Sequence, residues 1–465
     1  MNNPDHYILK EHQRKEVSAE ITFDKIIPRE FHKPRGNEAV FAKNIINDKI
    51  CLEANYYVGI DWLIKGKYSV EVEPKVNTKF SEYFNNQTNI EESEVAEKKA
   101  ELIQQDFKSG QNYVELDYLK MLLDVMEEPI TAGYSKYLVQ INWKEPQIAI
   151  TQKQDQLTPF LIVQFLQLLK VIVKKSLIKS YYKKRENLTN KVKGKVLVGQ
   201  HIKQNMFKNR FTQTYCEYQA FGIDNLENRF LKKVWRFCSS YIENHEIIFK
   251  GNYFVTQLLN YTSPAFEQVE DEISITQLKN VHHNPFFKEY DDAITIGGYI
   301  LKKYAYNITN TTDMQIQTPP YWIDMPILFE LYFYAKLIKA NPNKARYINY
   351  QFSTYGNALD FLISDPESAM IIDTKSKLKY QWSQIHEDIR QVSGYARLNK
   401  VLNEIKNNNP EFNKDTILPC LIVYPDVSKE TEEDFSLENL KKQWQPIKAY
   451  NKIYKMGIRL PLIKT

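Results

Sequence analysis

The chain has 465 residues, of which 43% are hydrophobic and 26% are charged, and its formal net charge is +5. These values are ordinary for a soluble globular protein of several domains, and they exclude global disorder, a collagen-like repeat and a disulfide-stapled miniprotein. The cysteines are scattered and form no CxxC pair, which argues against a disulfide framework or a zinc finger. They are Cys51, Cys216, Cys238 and Cys420.

The chain shows no signal for a membrane or for export. Its polar, charged start has no apolar segment of the kind found in secretory signals. The longest apolar stretch, residues 160–173, contains Gln164, Gln167 and Lys170, so we expect it to be too short and too polar to cross a bilayer. We therefore expect a cytoplasmic protein with reduced thiols and no membrane partner.

Residues 1–155 predict a β-rich N-terminal domain. Residues 50–54 and 68–74 alternate apolar and polar side chains with period two and end at turn residues. An acidic stretch at residues 90–107 favours a helix, and a second helix is expected at residues 113–126. Strands are then expected at residues 137–143 and 147–151.

Residues 156–315 predict a helical, basic middle region. One helix is expected to begin near Pro159, which is tolerated in a first turn, and to run to about residue 184. A second is expected at residues 226–244, where apolar side chains recur at helical spacing.

The middle region contains a strongly basic block. Residues 170–210 hold thirteen Lys or Arg side chains and one acid, Glu186. Such an imbalance favours contact with DNA phosphates or with an acidic partner ring, although a lysine-rich solvated helix face is the simpler alternative. The candidate DNA-binding residues are Lys183, Lys184, Arg185, Lys191, Lys193 and Lys195.

Residues 316–465 predict a third domain with the element order α-β-β-β-α-β. The expected elements are a helix at residues 326–340, strands at 346–352, 358–364 and 369–375, a long helix at 383–405 and a strand at 416–424. The turn at Asp365-Pro366 joins two apolar runs, and proline presets the turn dihedral, so this pair of strands is expected to form a hairpin.

The hairpin places chemistry-bearing residues at neighbouring strand ends. Asp373 and Lys375 are two residues apart in one strand and therefore share a face, and pairing can bring Asp360 to the same face. Carboxylate oxygens suit Mg²⁺, so Asp360 and Asp373 are candidate metal ligands. Lys375 could orient a water or offset charge at a phosphorus centre, which predicts metal-assisted phosphodiester hydrolysis.

The following helix contributes Gln391 and Tyr395, an i, i+4 pair on the face expected to look back onto the strands. The alternative for the whole group is a solvated strand edge whose charges prevent edge pairing. That alternative explains Lys375 but not an acid at the end of both strands.

This pattern resembles the PD-(D/E)xK nuclease superfamily, in which α-β-β-β-α-β is the core. The resemblance implies that Asp360, Asp373 and Lys375 are catalytic, and Gln391 and Tyr395 match an extension found in the RecB-like branch. Glu330 matches an acid that some members carry on the first helix. The proline that usually precedes the first acid is replaced here by Leu359.

Stretches further upstream look like the McrC family, the nuclease subunit of McrBC-type modification-dependent restriction systems. They are Tyr57-Val58-Gly59-Ile60-Asp61-Trp62-Leu63 with Val70-Glu71-Val72-Glu73-Pro74-Lys75-Val76, then Glu186-Asn187-Leu188 with Lys193-Gly194-Lys195-Val196, then Phe221-Gly222-Ile223-Asp224-Asn225-Leu226-Glu227-Asn228-Arg229-Phe230-Leu231-Lys232. The resemblance implies an McrB-like AAA+ GTPase ring as partner, engaged through the N-terminal region, and cleavage of modified double-stranded DNA that depends on that motor.

The chain has no G-x-x-x-x-G-K-[ST] loop, so the motor is expected to be a separate chain. Two other functions stay open from the sequence. The chain could be a noncatalytic regulator that binds and stimulates an AAA+ NTPase. It could also be the nuclease of a defence system with a different motor or a methyltransferase.

Overall fold

The structure is a computed structural model that describes residues 6–11, 13–18, 20–33, 36–77, 113–135, 138–150, 155, 157–249, 253–273, 287–308, 316–354, 357–376, 382–427, 429 and 431–463. The helix expected at residues 90–107 lies outside them. The chain divides into two compact units, the first made of Met1–Ala149 and Gln317–Thr465, the second of Ile150–Ile316.

The strands follow in chain order. They are β1 (His6–Lys10), β2 (Arg14–Glu16), β3 (Glu30–Lys33), β4 (Gly36–Ala39), β5 (Phe41–Ile46), β6 (Lys49–Ala54), β7 (Tyr57–Ile64), β8 (Tyr68–Glu73), β9 (Lys75–Asn77), β10 (Tyr113–Glu115), β11 (Val139–Ile141), β12 (Ile148–Ile150), β13 (Ser180–Thr189), β14 (Lys195–Val196), β15 (Gln213–Gly222), β16 (Ile316–Thr318), β17 (Tyr321–Asp324), β18 (Ile348–Thr354), β19 (Asn357–Ile363), β20 (Met370–Thr374), β21 (Cys420–Asp426), β22 (Gln445–Pro446) and β23 (Ile453–Arg459).

The α-helices of the described residues are numbered in the same way. They are α1 (Tyr118–Glu127), α2 (Pro129–Ala132), α3 (Leu157–Lys175), α4 (Val198–Gln204), α5 (Leu226–Asn244), α6 (Glu246–Phe249), α7 (Tyr253–Thr262), α8 (Lys288–Ile308), α9 (Met325–Ala340), α10 (Trp382–Tyr395), α11 (Asn399–Asn408) and α12 (Leu437–Leu440). The mixed α+β class expected from the sequence is confirmed.

A five-stranded sheet joins the two ends of the chain within the first unit. Its strand order is β1-β8-β7-β17-β11, so a strand from the C-terminal part lies between two N-terminal strands. Gly59 on β7 pairs with Trp322 on β17. A Cβ at Gly59 would lie 2.1 Å from the carbonyl oxygen of Tyr321, and the φ of Gly59 is +152°, so only glycine permits this approach.

The close approach at Gly59 is supported by a buried polar cluster. The Asp61 carboxylate accepts hydrogen bonds from the Trp322 indole (3.0 Å) and from the Trp62 amide, and it lies 3.1 Å from the Arg29 guanidinium. The segments predicted as separate first and third domains therefore lie in one compact unit, because β17 pairs with both β7 and β11.

A six-stranded sheet forms the C-terminal part of the first unit, in the order β18-β19-β20-β21-β23-β22. Strands β18, β19 and β20 are antiparallel neighbours, whereas β20 and β21 are parallel. The parallel pair needs a crossover, which α10 and α11 provide. A single helix was expected at residues 383–405; two helices form instead, because the backbone of Leu398 is extended.

The second unit contains a sheet that the sequence analysis did not predict. Helix α3 ends at Lys175, where Ser176 adopts a φ of +73°, and β13 then pairs with β15 along its whole length. Strand β14 pairs with the other edge of β15. The middle region is therefore not wholly helical, and much of its basic block lies on a β-hairpin. Similarly, residues 113–115 form β10, and the helix expected there begins only after Asp117, whose side chain accepts from the Lys120 amide.

Helix α3 is apolar for most of its length. By length and composition alone it could cross a membrane, and it is the one such helix among the described residues. However, 61% of its most apolar 18-residue stretch is buried inside the protein, as in a core helix.

Candidate active site

Two carboxylates lie side by side on one face of the six-stranded sheet. Asp360 on β19 and Asp373 on β20 stand one step beyond the pair formed by Phe361 and Ile372, so they are opposite each other across the hairpin. The backbone amide and the hydroxyl of Thr374 donate to the same Asp360 oxygen, Oδ2, at 2.7 and 2.8 Å. Asp373 is buried, with only 2% of its surface exposed.

Lys375 reaches back to this pair from the end of β20. Its Nζ lies 2.7 Å from Asp373 Oδ2 and 3.4 Å from Asp388 Oδ1, and it donates to Gln391 Oε1 at 3.1 Å. An ammonium has three N–H donors, so these three acceptors can occupy all of them.

Gln391 and Tyr395 hold the lysine from helix α10. Gln391 Nε2 donates to the Tyr395 hydroxyl at 2.7 Å, and that hydroxyl donates to the carbonyl oxygen of Ala358 at 3.2 Å. Ala358 lies two residues before Asp360 on β19. The i, i+4 pair therefore connects the helix to both strands of the hairpin, as its spacing predicted it could.

Glu330 enters the site from helix α9. The helix begins at a proline turn capped by Asp324, whose Oδ1 accepts from the Ile327 amide at 3.0 Å. Glu330 is half-buried, and it accepts hydrogen bonds from Gln351 and from the Tyr350 hydroxyl. Its charge interacts with those of Asp360 and Asp373.

The pKa values of Glu330, Asp360 and Asp373 are all raised. Burial, followed by repulsion from a neighbouring carboxylate, raises the pKa of Asp360 to about 7 and that of Asp373 to about 7. Burial and the same repulsion raise the pKa of Glu330 to about 7, against hydrogen bonds that lower it. Burial would lower the pKa of Lys375, but Asp373 and Asp388 outweigh it and raise that pKa.

The donor chemistry of this corner suits a hard cation. Within the described part of the chain, no three His, Cys, Asp or Glu side chains converge closely enough to form a complete metal cage. Mg²⁺ does not require one, because it keeps several waters and usually takes one or two carboxylates. Asp360 and Asp373 could supply these two, and a divalent cation would relieve the repulsion that raises their pKa values.

Asp388 is a further acid of the site, and it was not predicted from the sequence. It is buried and lies three residues before Gln391 on the same face of α10, within 3.4 Å of Lys375. Its i, i+3 spacing from Gln391 was the signal that could have found it.

The candidate DNA-binding residues lie on the hairpin of the second unit. Lys183, Lys184 and Arg185 are on β13, Lys195 is on β14, and Lys191 and Lys193 are in the connection between them. Lys183 and Arg185 share a face with the exposed rings of Tyr181 and Phe221, which are 5.1 Å apart, whereas Lys184 points to the opposite face.

The basic block is partly neutralised by its neighbours. Arg185 pairs with Glu217 of β15 at 2.7 Å, and Lys184 pairs with Glu186 at 3.3 Å. Lys193 lies over the ring of Tyr218. A count of charges along the sequence could not include Glu217, because this acid comes into place only through strand pairing.

A match over most of the sequence shows which protein family the chain belongs to. Residues 52–402, most of the chain, match the family described as "McrBC 5-methylcytosine restriction system component". The chain belongs to this McrBC family. The matched range includes Gly59, the basic hairpin and all the candidate catalytic residues from Glu330 to Tyr395.

Comparison with other proteins adds little to the McrBC assignment. One similar structure is a chain of a half-complex of Thermococcus gammatolerans McrB AAA+ hexamers with bound McrC, at 13% identity and a TM-score of 0.32, covering 98% of this chain and 94% of that one. Another is from the Thermococcus gammatolerans McrBC complex, at 14% identity and a TM-score of 0.26, covering 83% and 99%. TM-scores this low establish no shared fold. No curated protein matches the chain.

Proposed function

We propose that this McrBC family member is a Mg²⁺-dependent DNA endonuclease with a PD-(D/E)xK-type active site, working in an anti-phage restriction complex. The observation that carries the proposal is the placement of Asp360, Asp373 and Lys375 side by side on the neighbouring strands β19 and β20, with Glu330 near enough for its charge to act on both acids. A noncatalytic regulator would have no use for two mutually repelling acids, Asp360 and Asp373, beside one half-buried lysine, since such a cluster costs folding free energy.

Each residue of the site has a role in this proposal. Asp360 and Asp373 hold the cation, and Thr374 fixes the Asp360 carboxylate through two hydrogen bonds. When bound, Mg²⁺ supplies Lewis-acid polarisation of the phosphodiester and a more acidic water. Lys375 offsets negative charge that develops at the phosphorus centre. Gln391 and Tyr395 keep the ammonium in place, and Glu330 adds negative charge beside the two ligands.

We propose that the partner is an McrB-like AAA+ GTPase ring and that the substrate is modified double-stranded DNA. Membership of a family named for 5-methylcytosine restriction supports both. These 465 residues contain no phosphate-binding G-x-x-x-x-G-K-[ST] loop, which supports a motor on a separate chain. The complex would act in the cytoplasm, where incoming DNA is met.

We further propose that the basic hairpin contacts DNA phosphates. Lys183, Lys191 and Lys195 are exposed, and the rings of Tyr181 and Phe221 lie on the same face of β13 and β15 as Lys183. Such contacts would be independent of sequence, because phosphates carry no base information.

Reconstitution tests the proposal. The purified chain is combined with its AAA+ partner, GTP and Mg²⁺ on two copies of one DNA, methylated and unmethylated. We expect double-strand cleavage of the methylated copy and none when Mg²⁺ is replaced by EDTA. Stimulated GTP hydrolysis without any cleavage of either DNA would instead support a regulator.

A further inference from the structure

Asp388 is the buried acid of the site that none of the roles above uses. It lies on helix α10, and it is as well buried as Asp373. A buried carboxylate is costly unless it is paired, and Asp388 is 3.4 Å from Lys375 Nζ. The site thus provides two acids for one lysine.

The second acid matters because a cation would compete with Lys375 for Asp373. Lys375 Nζ lies 2.7 Å from Asp373 Oδ2, an oxygen that the proposed metal would also need. Once Asp373 turns to the cation, the ammonium keeps only Asp388 and Gln391 as partners, and Gln391 is uncharged.

We propose that Asp388 is a positioning residue: it gives Lys375 a second charged partner, so that the lysine stays in the site when Asp373 turns from it to a divalent cation. This inference rests on the proposed nuclease function. It predicts that Asp388 affects cation binding through Lys375 rather than by touching the cation.

The test is a double-mutant cycle on Mg²⁺ binding by the full-length chain, measured by isothermal titration calorimetry without DNA or partner. The variants are Asp388→Asn, Lys375→Ala and the two combined. In the wild-type background we expect Asp388→Asn to weaken Mg²⁺ binding about tenfold, because the freed lysine competes for Asp373. In the Lys375→Ala background no competitor remains, so the same change should alter binding by no more than about twofold.

Two further variants separate positioning from other causes. Glu387→Gln removes the same charge from the position of α10 just before Asp388, where the side chain is exposed. It should leave Mg²⁺ binding unchanged. Asp388→Glu keeps the charge and should restore at least part of the lost binding. Thermal unfolding of each variant shows whether it is folded.

The outcomes are distinct. Equal weakening by Asp388→Asn in both backgrounds, or no weakening at all, would overturn the role of Asp388 while leaving the nuclease proposal intact. A wild-type chain that binds no Mg²⁺ would overturn both, and that result is recognised before any variant is made.

Discussion

At the scale of single residues, burial decides what the acids of this protein can do. Glu11 at the end of β1 is 3% exposed, and its Oε1 has no hydrogen-bond partner among the described residues. Burial alone raises its pKa to about 8. Burial also raises the pKa values of Asp360 and Asp373, but Thr374 and Lys375 are their partners, whereas the Glu11 oxygen has none among the described residues. Burial therefore leaves Glu11 a protonated acid of the core, and it leaves Asp360 and Asp373 as paired acids of a site.

The pKa of Glu11 predicts a pH dependence of stability. Between about pH 4.5 and pH 8 the folded chain holds a proton that the unfolded chain has lost, so the free energy of unfolding falls as pH rises through this range. Glu11→Gln should therefore stabilise the protein by about 2–4 kcal/mol at pH 8 and have little effect near pH 4. Urea unfolding at several pH values checks this; a difference that stays constant across the range would contradict it.

At the scale of elements, the β7–β17 pair and the basic hairpin differ in how far they tolerate substitution of single residues. The β7–β17 pair requires Gly59, because a Cβ would meet the Tyr321 carbonyl at 2.1 Å. The hairpin, by contrast, has one exposed face, which carries Lys183 and Arg185, and the opposite face is half-buried, so the charges of the exposed face can be changed with little risk to folding.

Gly59→Ala tests the close approach of the two strands. We expect it to lower the free energy of unfolding by about 3 kcal/mol, from backbone strain together with the clash. Gly36→Ala is a matched control, because Gly36 also has a positive φ, +132°, but nothing lies within 4 Å of its Cβ position. Equal losses of Tm in the two variants would show that strain, and not the approach of β17, is responsible.

Charge reversal tests the hairpin. Changing Lys183, Lys184 and Arg185 to Glu should weaken DNA binding at low salt. It should flatten the slope of log K against log salt by about 1.8, because Lys183 and Arg185 share one face of the hairpin and Lys184 points to the other. The preference for methylated DNA should not change. The control reverses three exposed lysines of the first unit, Lys25, Lys49 and Lys65.

Two results would contradict the prediction for the hairpin. If DNA affinity holds but the complex with the AAA+ partner no longer forms, the basic block faces the partner. If neither changes, the block is a solvated surface. Fluorescence anisotropy with labelled DNA and size-exclusion chromatography with the partner measure both on one preparation.

At the scale of the whole molecule, contacts between segments close together in the sequence could be predicted, and contacts between segments far apart could not. Asp360, Asp373 and Lys375 could be placed together because two strands and a short turn fix their geometry. The insertion of β17 between β7 and β11 could not be predicted, since β17 is far along the chain from both of its partners. The first half of β13 was expected to continue helix α3, because the strand carries charges on both faces, which hides the period of two.

The central claim is that Asp373 serves DNA cleavage and not the partner. The most direct measurement uses the Asp373→Asn variant of the full-length chain with the AAA+ partner, GTP, Mg²⁺ and methylated DNA, and follows cleavage and GTP hydrolysis in one reaction. We expect cleavage to fall at least about a thousandfold, because a cation ligand is lost, with GTP hydrolysis unchanged. Cleavage at the wild-type rate by a folded Asp373→Asn protein would contradict the assignment of the active site.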